Sequence, residues 1–176
     1  MENTIVVNLI GAPGAGKSTG AAYIFAKLKA AGINAELVTE FAKDKVWEGN
    51  PGPFKDQLYM TAKQAYKQSR CRGKVKVIVT DSPLLLGIYY NNNPELTENF
   101  NNMVLDVFNS YYNITYFINR VKKYNPAGRH QSEAESDEVA KELKKLLEKY
   151  NIDFKQINGC IEDYDLVVEN ILKVYN

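Results

Sequence analysis

The residues Gly11-Ala-Pro-Gly-Ala-Gly16-Lys17-Ser18-Thr19 carry the clearest chemistry in the chain. Their spacing is G-x-x-x-x-G-K-[ST], the P-loop pattern. Its glycines let a loop turn its amides inward and form a concave anion site. A helix starting near Lys17 adds its positive end to that cradle. Lys17 is placed to reach the β- and γ-phosphates of a nucleoside triphosphate, and the Ser18 hydroxyl to ligate Mg²⁺. Gly11, Ala12, Gly14, Ala15, Gly16, Lys17, Ser18 and Thr19 are therefore the expected ATP-binding residues. The pattern names the ligand and not what is done with it.

Two carboxylates follow later strands. The run KVKVIVT ends at Asp81-Ser82-Pro83, where an acidic residue can hold Mg²⁺ directly or through water. The ATPase form of this motif sets a glutamate after the aspartate to position an attacking water, and here Ser82 follows. No Asn-Lys-x-Asp guanine-reading run occurs. Both features favour transfer to a bound hydroxyl over hydrolysis. Glu40 ends the run Leu37-Val-Thr-Glu40 and is the candidate base for the acceptor's proton. A solvated strand-end glutamate is the plain alternative.

After a later strand come Asn119-Arg120 and then Lys122, Lys123, Arg129 and His130. Arg120 and Arg129 are two of only four arginines. The planar fork of arginine suits phosphate oxygens, so a basic segment closing over the transferred group is expected over about 120–132. A solvated basic loop is the alternative, and His130 is expected to be exposed.

On the acceptor side, Gln57, Thr61, Gln64 and Gln68 recur at helical spacing, which puts them on one stripe. Gln57 and Gln64 could read a base edge or amide, and Trp47 could stack on a ring. A polar solvent stripe with a core tryptophan fits equally well. The basic stretch Lys63 to Lys76 reads as a solvated face before it reads as a nucleic-acid track.

Alternating elements must position these groups. Strands are expected at Thr4–Ile10, Ala35–Thr39, Val75–Thr80, Ile114–Ile118 and Asp153–Ile157. Helices are expected at Ser18–Ala31, Phe54–Ser69 with Phe54, Leu58, Ala62 and Ala65 on its apolar face, Glu95–Ser110, about 132–149 and Glu162–Val174. Ser132-Glu-Ala-Glu135 reads as a capping box opening the fourth of these. Such alternation implies right-handed crossovers and a mainly parallel sheet, with ligands beyond the carboxyl ends of the strands.

The 176 residues suit one domain, which at this size buries roughly 70% of its unfolded surface. A net charge of +1 argues against a dedicated duplex-DNA binder. Cys71 and Cys160 form neither a metal spacing nor a disulfide framework, which points to a reducing, cytoplasmic setting. No apolar run approaches the ~20 residues that span a bilayer, so no membrane partner is expected.

With these motifs in place, the chain resembles small P-loop kinases of the nucleoside and nucleotide kinase superfamily. Gly11–Thr19 looks like the adenylate kinase loop, and Thr39-Glu40 followed by Trp47 looks like the deoxynucleoside kinase arrangement, whose matching glutamate is the base. EFAKDKVWEG, TDSPLLL and NRVKKYNPAGRHQSEAE together are similar to small ATPase proteins of tailed bacteriophages, often compared with nicotinamide riboside kinases. The Asp-Gly-x-Pro-Arg run of adenylate kinases is absent, and Thr80-Asp81-Ser82 replaces the Glu-Arg-Ser of deoxynucleoside kinases. The resemblance implies an α/β three-layer fold: a five-stranded parallel sheet in the order 2-3-1-4-5, helices on both faces, and a lid after strand four.

The expected function is a Mg²⁺-ATP-dependent kinase acting on a nucleoside, nucleotide or nicotinamide riboside. Lys17, Glu40, Asp81, Arg120 and Arg129 are its expected catalytic residues, and Ser18 and Asp81 its metal ligands. Two other readings stand beside it: phosphorylation of a hydroxyl on modified DNA or a DNA end, and a nucleotide-dependent binding module without phosphotransfer.

Overall fold

The computed structural model describes residues 4–124 and 132–175. Five parallel strands form one sheet in the order β2-β3-β1-β4-β5. They are β1 (Ile5–Ile10), β2 (Ala35–Val38), β3 (Val77–Thr80), β4 (Tyr112–Asn119) and β5 (Lys155–Asn158). This is the P-loop kinase fold expected from the sequence. The helices are α1 (Lys17–Ala30), α2 (Phe41–Trp47), α3 (Gln57–Ser69), α4 (Leu86–Tyr89), α5 (Glu98–Asn109), α6 (Glu133–Lys149) and α7 (Ile161–Tyr175).

The run IVVNLI of β1 is buried at every position because the strand is central and covered on both faces. Ile5, Val7 and Leu9 face α1 and α7, packing with Ile24, Leu28, Val167 and Ile171. Ile10 faces the other way, onto Phe117, Leu85, Phe108, Leu143 and Leu147. Asn8 shares that second face, where its amide donates to Asn113 Oδ1 at 2.9 Å. The register sets Asn8 beside Thr80, so the strand ends leading to the loop after β1 and to Asp81 lie side by side.

The elements begin and stop for local reasons. Ser132 caps α6 by accepting from the Glu135 N–H at 3.3 Å, while Glu135 accepts from the Ser132 N–H at 2.6 Å, which is the capping box expected from the sequence. The single helix expected over Phe54–Ser69 is instead two elements. A 3₁₀ turn covers Gly52–Lys55, and α3 starts after Asp56, whose carboxylate accepts from the Tyr59 N–H at 2.9 Å. An aspartate at this point offers the backbone a cap in place of a continued helix.

Of the expected apolar face Phe54, Leu58, Ala62 and Ala65, only Ala65 packs against a buried cluster, that of Leu84, Phe100 and Val104. Met60, Thr61, Gln64 and Gln68 are buried, while Phe54 and Leu58 are about half exposed. The reason is what α3 packs against. It meets the loop between β2 and α2, and it meets α4, where Gly87 leaves room for Thr61: a Cβ there would sit 2.5 Å from Thr61 Oγ1. A loop carries unpaired backbone groups, so it calls for amide side chains.

The basic stretch is largely engaged within the molecule. Lys67 donates to Thr39 Oγ1 at 3.2 Å and pairs with Asp44, Arg70 sits over the Tyr66 ring, and Arg72 donates to the Ser110 carbonyl at 2.6 Å. Among the described residues, no helix is long and apolar enough to cross a membrane.

Candidate active site

The loop between β1 and α1 is shaped by two left-handed glycines, Gly14 at φ 82° and Gly16 at φ 104°. Gly16 stands at the N-cap of α1 and supplies no side-chain cap. The first-turn amides of α1, which have no intrahelical partner, are thereby left toward the concave side. Ser18 and Thr19, in that turn, are exposed.

Four of the loop's carbonyls, by contrast, are bonded by side chains. Lys17 Nζ donates to the Gly11 carbonyl at 2.7 Å and to the Ala12 carbonyl at 3.0 Å. The wholly buried Ser136 of α6 donates its hydroxyl to the Pro13 carbonyl at 2.8 Å. Tyr164 of α7 donates to the Gly16 carbonyl at 3.0 Å. Burial pushes the Tyr164 hydroxyl's pKa up to about 12, so it remains a donor. Gly159, just after β5, lies against the loop so closely that a Cβ would meet the Ala15 carbonyl oxygen at 2.1 Å. Gly20 occupies a helix interior because the Tyr164 ring lies 2.6 Å from where its Cβ would be. Ser136 and Tyr164 thus brace the two ends of the loop's glycine-rich turn from α6 and α7.

Glu40 and Asp81 come together at the ends of β2 and β3. The Glu40 N–H donates to Asp81 Oδ1 at 3.2 Å, and Asp81 is 5% exposed. Desolvation raises the Glu40 carboxyl pKa; the Lys17 charge opposes this and the Asp81 charge adds to it. Glu40 therefore feels both the loop lysine and the neighbouring aspartate.

Arg120 is placed differently. It lines a cavity of about 190 Å³ on the flank of the loop, with Ala12, Ala15, Asn119, Asp137 and Lys144. Its guanidinium lies 3.0 Å from Glu133, pairs with Asp137 and stacks over Tyr124. Arg129 and His130 lie outside the described residues.

The acceptor-side expectations divide. Gln57 lines a second cavity of about 350 Å³ with Phe54, Lys55, Tyr90, Asn92 and Asn93. Burial and the Glu40 charge both raise the Tyr90 pKa, which ties this cavity's wall to the Glu40 carboxylate. Trp47 is 80% exposed at the end of α2, so it is not a core residue. Gln64 does not reach for a base edge. Its amide is taken up by the backbone at Phe41 and Thr39, because the α2 start leaves those groups without partners.

Tyr90, Ser136, Gly159 and Tyr164 were not anticipated from the sequence. They follow no motif, and only folding brings the last three, more than 100 residues away in sequence, to the loop.

A family model described as an AAA domain matches residues 6–163. No curated protein matches the sequence. Among solved structures, the NadR protein in complex with NR is similar at TM-score 0.73 and 17% identity, covering 97% of this chain and 51% of that one. NadR in complex with NAD and AMP-PNP is similar at TM-score 0.70 and 16% identity, with 97% and 49% covered. A thymidylate kinase from Ehrlichia chaffeensis is similar at TM-score 0.62 and 17% identity, with 99% and 100% covered. The chain thus spans about half the length of the NadR structures, and at these identities the likeness is one of fold.

Proposed function

This chain belongs to the AAA domain family, and we propose that within it the protein is a Mg²⁺-ATP-dependent kinase transferring the γ-phosphate to a hydroxyl of a nucleoside, nucleotide or related small molecule. The observation that carries this reading is that Glu40 and Asp81 meet at the ends of β2 and β3, within the field of Lys17, beside a phosphate loop braced by Ser136 and Tyr164.

In the proposed reaction, the loop amides and Lys17 hold the β- and γ-phosphates. The Glu40 carboxylate accepts the proton of the acceptor hydroxyl as that oxygen bonds to the γ-phosphorus. The bond from the γ-phosphorus to the β,γ-bridging oxygen breaks, and ADP leaves with the electron pair. The products are the phosphorylated acceptor and ADP, with the proton on Glu40 passing to solvent.

The chain's residues fit Mg²⁺. This ion is held by one or two protein oxygens together with phosphates and water, and needs no acidic cage. No cluster of three or more His, Cys, Asp or Glu suited to a metal occurs among the described residues. Ser18 and Asp81 are the oxygens that would hold it, and when bound it neutralises charge building on the phosphates.

The acceptor pocket in this reading is the 350 Å³ cavity beside Tyr90. Phe54 and Tyr90 offer ring surfaces, Gln57, Asn92 and Asn93 offer amides, and Lys55 is its one cationic wall residue among those described. Aromatic faces plus amides suit a heterocyclic base. A single lysine is a weak clamp for an acceptor phosphate, which supports an unphosphorylated nucleoside as the acceptor in this reading. NadR bound to NR is a neighbour in keeping with this choice.

The deciding experiment incubates the protein with labelled Mg²⁺-ATP and separate nucleosides, nucleoside monophosphates and a 5′-hydroxyl oligonucleotide. Label transferred to one or more nucleosides, and lost in Lys17→Ala, is the expected result. Binding of ATP with no transfer to any hydroxyl would remove the kinase reading and leave a binding module.

A further inference from the structure

Glu40 sits where β2 has ended at Val38 and α2 has not yet begun at Phe41. It occupies the N-cap position of α2, yet its side chain makes no capping bond. An N-cap side chain ordinarily bends back onto a first-turn amide. A carboxylate so engaged would be turned away from Lys17.

Another side chain does the capping. Gln64, on α3 and 6% exposed, accepts from the Phe41 N–H through Oε1 at 2.8 Å. Its Nε2 donates to the Thr39 carbonyl at 3.4 Å. The two halves of one amide thus grip the residues on either side of Glu40. Between them, the Glu40 N–H is held by Asp81. Three successive residues are fixed by their backbones, and the carboxylate in the middle stays out of the clamp. Lys67, one turn along α3, secures the Thr39 hydroxyl as well.

We propose that Gln64 is a positioning residue for Glu40: by capping α2 from a neighbouring helix, it keeps the Glu40 carboxylate turned toward Lys17 and the acceptor pocket. It touches neither ATP nor acceptor. The inference rests on the reading of Glu40 as the base, and it explains why a buried glutamine occupies a face of α3 where an apolar residue would otherwise pack.

The test uses the full chain with Gln64→Met, which keeps the volume and loses both bonds, and Gln64→Asn, which keeps the amide on a shorter stem. Two readouts need no ligand: hydrogen exchange at the Phe41 amide, and hydrogen exchange at the Glu40 amide, both followed by NMR. In both variants the Phe41 amide should exchange roughly tenfold faster, and the Glu40 amide, no longer held between two fixed neighbours, should exchange faster as well. A third readout is ADP formation from Mg²⁺-ATP with a pool of common nucleosides. It should fall about 10- to 100-fold while AMP-PNP binding stays within about twofold of the parent. In a Glu40→Gln background, Gln64→Met should add no further loss, since it acts through Glu40. Unchanged exchange at both amides, or losses that multiply with Glu40→Gln, would overturn the assignment. If the parent protein forms no ADP with any nucleoside, the kinase reading falls, and the two NMR readouts alone decide whether Gln64 holds Glu40.

Discussion

The Tyr164 hydroxyl, at the far end of the fold in sequence, donates to the carbonyl of Gly16, the residue before the loop lysine. The same carbonyl accepts the Gly20 N–H at 2.8 Å. Tyr164→Phe therefore removes one of two bonds and leaves no buried orphan. The loss is that of a single neutral hydrogen bond, about 0.5–1.5 kcal/mol. If it falls on the binding-competent loop, AMP-PNP affinity drops roughly 2- to 10-fold with the fold intact. Calorimetry on the variant checks this, and an unchanged Kd would show that the bond does not shape the site.

Gly159→Ala should be far more damaging to binding than its size suggests. The new methyl would sit 2.1 Å from the Ala15 carbonyl oxygen, which is backbone and cannot swing aside. The loop must shift, or β5 must separate from it, at a cost of roughly 1–3 kcal/mol. Nucleotide affinity should fall about fivefold or more, while far-UV circular dichroism stays near that of the parent. Parent-like affinity would mean that the loop tolerates displacement.

Glu40→Gln should lower turnover by roughly 10²–10⁴ with ATP affinity nearly kept. Desolvation raises the Glu40 pKa, so its proton is lost at higher pH than from an ordinary carboxyl. The basic form is present above that raised value and disappears as pH falls through it. The acid limb of kcat/KM should accordingly lie above pH 4.5, the ordinary glutamate value, and should be missing in Glu40→Gln. A limb that persists in the variant belongs to another group.

Arg120 is paired with Glu133 and Asp137, both more than half exposed. These carboxylates compete with any phosphate for the same guanidinium. Asp137→Asn should then tighten AMP-PNP binding by about two- to fivefold, the scale of an exposed ion pair. Unchanged affinity with a lower Tm would give the arginine a structural task instead.

The first strand and the position of the phosphate loop were readable because both rest on local patterns, whereas the order of the sheet came from the family resemblance. IVVNLI followed by glycine is a buried strand running into a turn, and the loop's glycines sit at fixed spacing. The outward turn of most of the expected apolar face of α3 was not readable, although Ala65 does pack inward. Phe54, Leu58 and Ala62 have apolar periodicity, but burial is set by the partner, and here the partner is a loop whose amides and carbonyls call for glutamine. The seven-residue α2 was missed for a related reason: its cap is a residue 23 positions away in sequence. Tyr164 and Ser136 give no local signal, since an aromatic residue or a serine in an amphipathic helix is ordinary.

A ribosome making this chain releases the phosphate-binding motif early. The two hydroxyls that brace it are translated 123 and 148 residues after the carbonyls they hold. A nascent chain therefore displays the complete nine-residue signature long before α6 and α7 can brace it. The loop's final shape is thus a product of long-range docking and not of its own sequence alone.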